Sequence, residues 1–397
     1  MKTERLPLNK MVGLVYGKIV QLWRKYALWY ALHTTKMRDK GSHSSVLPQD
    51  IHRILIVCTG LIGDTIMGIP TMRAFRRLYP EARMIGLVMP HNKALLEPLG
   101  IFDEFIICEV MPYTIWPWRW PKLWSVKRQI RKKRFDLALL LLGGDWAPTL
   151  YRAGIRIRID AKHNYFAPLA THLYEIPPRL LHPNTLLNAL RSLGWQVEPE
   201  IPQLQVSERA RQLITKRLLE WGIGPNDKLI IFHPFASTAN RSLSPSKVKR
   251  ILDLLTERNW WVGLIGSGRA NLEIPQKHPK VLNLVGQLPL SETMALIERA
   301  DGVLTTDSGP LHIAGALGRP TVGLFRAIRP EYASLYPSVK ALFWEGGSQC
   351  LPGCTWDSWY GCREVPCRQL ESIPDEMILS ALQVLLQPPT ETRPTSG

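Results

Sequence analysis

The chain predicts an α/β protein built from two doubly wound parallel sheets in tandem, and three observations predict it. Short apolar runs alternate with helical stretches, which is the signature of crossover units in a parallel sheet. The run Asp136 to Leu142 is apolar almost throughout, as expected of a strand covered on both faces. The alternation then restarts after residue 206, so one sheet is followed by another. In the first series Arg53-Ile54-Leu55-Ile56-Val57 reads as a strand, a glycine-containing turn follows, and Thr65 to Leu78 reads as a helix. Met84 to Val88, Phe105 to Cys108 and Asp136 to Leu142 are further strands. In the second series the strands are Lys228 to Phe232, Trp261 to Ile265, Ala300 to Thr305 and Thr321 to Phe325, and Ser246 to Arg258 is a helix. A late helix is expected over Asp375 to Leu386, with a disordered tail after Pro388.

At 397 residues there is enough chain for two cores, and a hydrophobic fraction of 45% is that of a folded protein. The net charge of +17 implies an acidic partner: nucleic acid, an anionic membrane or a phosphorylated substrate. The positive charge is concentrated beside aromatic residues in two places. Over residues 8–32, Leu8, Met11, Val12, Val15, Ile19, Leu22, Trp23, Tyr26 and Tyr30 recur at helical spacing. Lys18, Arg24 and Lys25 interrupt the run, which excludes a membrane-spanning helix, and no small-residue cleavage site suggests a signal peptide. Two readings remain: a basic helix lying in a membrane interface, or one packed on the protein itself. The second place is Trp116-Pro117-Trp118-Arg119-Trp120-Pro121-Lys122-Leu123-Trp124, followed by a basic helix whose buried stripe is Leu123, Val126 and Ile130. Interleaved tryptophans and cations suit lipid headgroups, sugar rings or stacked bases.

Ligands of parallel sheets bind beyond the carboxyl ends of the strands. Four segments fall there. Thr59-Gly60-Leu61-Ile62-Gly63-Asp64 lacks a Gly-x-Gly-x-x-Gly pattern, and a carboxylate would repel phosphate. Asp64 therefore suits a general base acting on a neutral hydroxyl; its structural alternative is a helix cap. His233-Pro234-Phe235-Ala236-Ser237-Thr238-Ala239-Asn240-Arg241 offers Ser237, Thr238 and Arg241 as an anion clamp, or else is a solvated loop. Gly266-Ser267-Gly268 with Glu273 beyond suits ribose hydroxyls. The densest segment is Thr306-Asp307-Ser308-Gly309-Pro310-Leu311-His312. It sets one carboxylate, hydroxyls and an imidazole at a strand-to-helix turn, where free N–H groups and the helix dipole favour a diphosphate.

These four segments together resemble glycosyltransferase family 9, the lipopolysaccharide heptosyltransferases, from about Arg53 to Leu386. The resemblance is strongest over Ile54 to Tyr79 and over Asp307-Ser308-Gly309-Pro310-Leu311-His312-Ile313-Ala314 with Ala316-Leu317-Gly318-x-Pro320. Lys133-Arg134-Phe135-Asp136 and His233-Pro234-x-Ala236-Ser237 also match. It implies a GT-B fold with two Rossmann-like domains facing a cleft, and inversion at the anomeric carbon without a metal. Asp64 is then the catalytic base. The donor, an ADP-heptose-like nucleoside-diphosphate sugar, is held by Ser237, Thr238, Arg241, Gly266, Glu273, Asp307, Ser308, Gly309 and His312. Arg241 stands where the family usually has a lysine. Gly63, Trp118, Arg119 and Trp120 fall on the acceptor side.

The resulting organisation is a basic amphipathic extension and linker (1–46), an acceptor-side domain (47–206), a donor-binding domain (207–374) and a C-terminal helix and tail (375–397) expected to pack on the first domain. Cys350, Cys354, Cys362 and Cys367 cluster within 350–367. Structural zinc, disulfides and free thiols compete as readings, since the spacings lack close Cys-x-x-Cys pairs; no cofactor is expected for catalysis. The expected acceptor is a lipid-linked or lipopolysaccharide-core glycan, at the cytoplasmic face of the inner membrane, with residues 8–32 touching the membrane. A nucleic-acid-binding protein is the main alternative, disfavoured by the absence of any reader module. A nicotinamide-dependent enzyme lacks its glycine fingerprint. A non-catalytic sugar-nucleotide binder does not account for Asp64.

Overall fold

The structure is a computed structural model that describes residues 8–34, 50–114, 116–177, 182–267, 278–326, 335–343 and 365–387. The chain divides into two units, Met1–Glu200 and Ile201–Gly397.

The first unit opens with helix α1 (Leu8–Thr34). It continues β1 (Arg53–Cys58), α2 (Ile62–Leu78), β2 (Arg83–Val88), α3 (Pro90–Leu96), β3 (Glu104–Ile107), α4 (Trp120–Lys133), β4 (Leu137–Leu142), α5 (Ala147–Arg152), β5 (Ile157–Ala161) and β6 (His172–Tyr174), and closes with the short helices α6 (Pro183–Leu186) and α7 (Asn188–Arg191). The strands form one sheet in the order β3-β2-β1-β4-β5-β6, every pair parallel. A parallel sheet needs covering on both faces, which explains why β1 and β4 are apolar at nearly every position and almost wholly buried. In α2, Ile66, Ile69, Met72 and Phe75 recur at helical spacing and are fully buried, while Arg76 on its outer side binds the carbonyls of Ile101 and Ala82, each at 2.9 Å.

The N-terminal helix packs on the first unit along one face. Trp23, Ala27, Leu28 and Ala31 pack into the first unit's core. Trp23 meets the Tyr113 and Phe166 rings edge-on, and Arg24 grips Asp145 through two hydrogen bonds of 2.8 and 3.0 Å. The opposite stripe, Leu22, Tyr26, Trp29 and Leu32, stays exposed. Among the described residues no helix is long and apolar enough to cross a membrane.

The second unit contains α8 (Glu208–Glu220), β7 (Leu229–His233), α9 (Pro245–Glu257), β8 (Trp261–Leu264), β9 (Val281–Asn283), α10 (Leu290–Arg299), β10 (Gly302–Thr306), α11 (Gly309–Ala316), β11 (Thr321–Leu324), β12 (Val339–Leu342), α12 (Arg368–Ser372) and α13 (Asp375–Leu385). Its parallel sheet runs β12-β11-β10-β7-β8-β9. Strands β5, β6, β9 and β12 escape sequence reading because they are short and lie toward sheet edges, where the apolar signal is diluted.

The expectation that the C-terminal helix packs on the first domain is corrected. Ile378, Leu379 and Leu382 of α13 lie in the second unit's core beside β10, β11 and α9. Lys247, only 1% exposed, fastens it there: its ammonium pairs with Asp375 at 2.8 Å and bonds the carbonyls of Glu371 and Ile373. Burial alone would raise the Asp375 carboxyl, but Lys247 and Arg250 hold it below the ordinary range. A buried lysine is tolerated only with such partners, and removing it would leave Asp375 to Arg250 and take the Lys247 donor from the carbonyls of Glu371 and Ile373, at a cost of about 1–3 kcal/mol. Cys367 is also buried in this core. Cys350, Cys354, Cys362 and the tail after Pro388 lie outside the described residues, as does most of the 40–50 linker.

Candidate active site

Strand β10 ends at Thr306, and Ser308 is the extended N-cap residue of α11. The Ser308 hydroxyl is not used as a helix cap. It turns back to the Thr306 carbonyl (3.0 Å), to the Thr305 hydroxyl (3.2 Å) and to Nδ1 of His233 (3.1 Å). The α11 N-terminus is therefore left without a side-chain cap, and Pro310 brings no N–H at a position where helices tolerate its loss. Partly exposed Gly309 lies at the positive end of this helix.

Arg241 closes a one-turn 3₁₀ helix, Ala239–Arg241, between β7 and α9. Its guanidinium reaches Asp307 twice, through the carboxylate at 2.9 Å and through the main-chain carbonyl. Both side chains are largely buried, at 12% and 20% exposure, so this is a held pair and not a solvated contact. Asp307 thus anchors Arg241 beside the turn. Ser237 and Thr238 lie exposed on the loop ahead of it. His312 is buried one turn into α11, its Nδ1 3.4 Å from the Tyr336 hydroxyl. Burial, reinforced by the positive charge of Arg241 and opposed by Asp307, depresses its pKa and favours a neutral ring. Gly266 has a packing function: a Cβ there would fall 2.5 Å from the Phe235 ring. Glu273 lies outside the described residues.

His233 and Tyr336 enlarge this constellation beyond the residues singled out from sequence. His233 stood inside a quoted motif, but only parallel pairing of β7 with β10 puts its ring against Thr305 and Ser308. Tyr336 carries no sequence signal at all. Burial drives the His233 pKa from 6.5 down to about 4. An unfolded histidine takes up a proton near 6.5 and the folded one does not, so this group's stabilising contribution is complete above that pH and falls progressively toward pH 4. Thermal midpoints of wild type and His233→Asn, measured from pH 8 to pH 4, should show the wild type losing more on acidification. Parallel curves would show that His233 does not carry this pH dependence.

In the first unit, Asp64 sits in the first turn of α2 and is half-buried. Its carboxylate accepts the Leu61 N–H at 3.3 Å, so Leu61 and not Asp64 is the N-cap residue, and Asp64 caps the helix from the third position. Partly exposed Gly63 precedes it, and the turn is pinned from β2's side by Asn92, whose amide donates to the carbonyls of Cys58 and Gly60 at 3.2 and 2.9 Å. Two other carboxyls belong to loops and strands nearby in sheet order, and neither is available to a substrate hydroxyl. Asp145 is occupied by Arg24. Asp160 is fully buried and pushed up to about 7 by that burial. Asp64 is partly exposed at the start of α2, just beyond the carboxyl end of β1.

Trp118, Arg119 and Trp120 stand where the chain leaves β3 and enters α4; both tryptophans are exposed, as are Trp116 and Trp124. This loop leaves the same carboxyl edge as Asp64 but two strands away, roughly 10 Å at the spacing of strands in a sheet. Leu123, Val126 and Ile130 form the buried stripe of α4, as expected.

The glycosyltransferase family 9 (heptosyltransferase) model matches residues 123–358, more than half of the chain. The chain is 24% identical over 356 residues to lipopolysaccharide heptosyltransferase 3 of Escherichia coli, covering 84% of this chain and 98% of that one. It is 25% identical over 307 residues to lipopolysaccharide heptosyltransferase 2 of Salmonella typhimurium, covering 70% and 84%. Among solved structures it is similar to a family 9 glycosyltransferase from Veillonella parvula (TM-score 0.70, 19% identity, covering 86% and 99%) and to E. coli ADP-heptose lipopolysaccharide heptosyltransferase II (0.66, 22%, covering 84% and 98%). With two Rossmann-like parallel sheets of the GT-B class, this chain belongs to glycosyltransferase family 9 and is a glycosyltransferase.

Proposed function

We propose that the enzyme is an inverting, metal-independent heptosyltransferase that moves heptose from ADP-heptose to a lipopolysaccharide-core or other lipid-linked acceptor. The observation that carries this reading is the uncapped N-terminus of α11 with Arg241 held beside it by Asp307. Those groups supply fixed positive potential where a nucleoside diphosphate departs, which is the largest electrostatic demand of the reaction. Asp64 takes the proton of the acceptor hydroxyl as its oxygen attacks the anomeric carbon. The bond from that carbon to the diphosphate oxygen breaks, and the negative charge gained there is met by Arg241, the helix N-terminus and a donated N–H from neutral His312. The names of the relatives, heptosyltransferases of lipopolysaccharide, support the sugar and acceptor class.

A thermal-shift series tests the donor. ADP and ADP-heptose should raise the melting temperature, adenosine should do so far less, and NAD should have no effect. Equal shifts from adenosine and ADP would remove the diphosphate site from this reading.

We further propose that the first unit works on the cytoplasmic face of the inner membrane. The exposed stripe Leu22, Tyr26, Trp29 and Leu32, with exposed Lys18 and Lys25, supports an interfacial helix, and Trp116, Trp118 and Trp124 add exposed aromatic surface beside basic α4. Expected is co-sedimentation with phosphatidylglycerol vesicles but not with phosphatidylcholine vesicles, weakened by Tyr26→Ser with Trp29→Ser. No lipid preference, or no effect of the double variant, would overturn it.

A further inference from the structure

Arg326 is 93% enclosed by the protein, being 7% exposed, and among the described residues neither Nη1 nor Nη2 has a hydrogen-bond partner. A guanidinium is always charged, and enclosing it without an anion is among the most costly arrangements a folded chain can hold. Other buried cations here are satisfied: Lys247 has Asp375 and two carbonyls, and Arg158 donates to the carbonyls of Leu169 and Ile155. An orphan of this kind points to an anion that arrives from outside.

Its place in the fold says which anion. Arg326 lies two residues beyond Leu324, the last paired residue of β11, as Ser308 lies two beyond its partner Thr306 on β10. The Asp307 N–H still bonds the Leu324 carbonyl at 3.1 Å, so the two strand ends leave the sheet side by side. Val322 and Leu324 belong to the core layer that α9 and α13 cover, together with Leu304 and Phe232. The two-residue period of a strand carries Arg326 onto that same side, where Arg241 leads into α9.

Resting on the donor reading above, we infer that Arg326 is a second cation of the diphosphate site, flanking the Asp307–Gly309 turn from β11 while Arg241 flanks it from β7. A planar fork with two free Nη groups suits bidentate contact with phosphoryl oxygens. The two phosphates of a nucleoside diphosphate would then have a cation on either side of the helix N-terminus. Arg326 is placed here as a donor-binding residue that Arg241 alone does not replace.

Calorimetric titration of wild type, Arg326→Met and Arg326→Lys with ADP, AMP and adenosine tests this, with melting temperatures of each ligand-free protein measured alongside. Arg326→Met should weaken ADP about 10- to 100-fold, the range for losing hydrogen bonds to a charged group, and should leave adenosine unchanged. Arg326→Lys should recover part of the loss. The ligand-free Arg326→Met protein should melt no lower than wild type, because it loses an unpaired buried charge. A fall in that melting temperature would assign Arg326 to a structural ion pair and overturn the inference. So would a loss of affinity shared equally by ADP, AMP and adenosine. Wild type that binds ADP while Arg326→Met binds it equally well refutes the role of Arg326 alone. Wild type that binds neither ADP nor AMP refutes the donor reading, and this inference falls with it.

Discussion

Asp64→Asn should reduce sugar transfer by about 10²–10⁴-fold, the contribution typical of a positioned general base, with ADP affinity unchanged. Asparagine keeps the shape of the side chain and an oxygen that can still accept the Leu61 N–H, so the start of α2 survives. What it removes is the group that takes the proton. The expected stability change is therefore small, under about 1 kcal/mol, because a cap of similar strength remains. This separates the two functions the carboxylate combines. Progress curves with ADP-heptose and a lipopolysaccharide-core acceptor, paired with ADP titration, give the answer. Turnover at the wild-type rate would leave Asp64 as a cap and nothing more. The same variant with lost ADP binding would indicate misfolding, not missing chemistry.

Arg241→Ala should cost about 10²–10³-fold in kcat, as removal of one donor to a developing anion usually does. Asp307→Asn should cost less, because the main-chain carbonyl of Asp307 still accepts from Arg241 when the carboxylate has gone. The two effects should not multiply. If Asp307 acts by holding Arg241, the Arg241→Ala/Asp307→Asn double variant should be little worse than Arg241→Ala. Arg241→Lys should recover part of the activity, with charge restored and the fork geometry lost. Losses that multiply in the double variant would instead put the Asp307 carboxylate in direct contact with the donor.

Much of the architecture is legible in the sequence. β1, β4, β7 and β10 are central strands, and their sequences are apolar on both faces because both faces are covered. Their carboxyl ends carry Asp64, Arg241 and the Asp307–His312 turn, so finding the strands was enough to find the candidate site. The strands nearer the edges, β5, β6, β9 and β12, are not legible, because polar residues interrupt them and leave no continuous apolar run. The C-terminal helix is legible as a helix, but its neighbour is not. An amphipathic stripe shows that a face is buried and not against what, and only Lys247 meeting Asp375 decides that.

The sequence by itself determined the family, two parallel sheets and the chemical identity of the principal groups, because periodicity and motif spacing are local properties of the chain. The pairing of those groups across strands was decided by the tertiary structure alone. That Asp307 holds Arg241, that Asn92 pins the Asp64 turn and that His233 meets Ser308 are contacts between residues 32 to 75 positions apart. No window along the chain contains both members of such a pair. The charge left over at Arg326 is visible only by the same route, since an arginine becomes informative when its surroundings are known and no partner is among them.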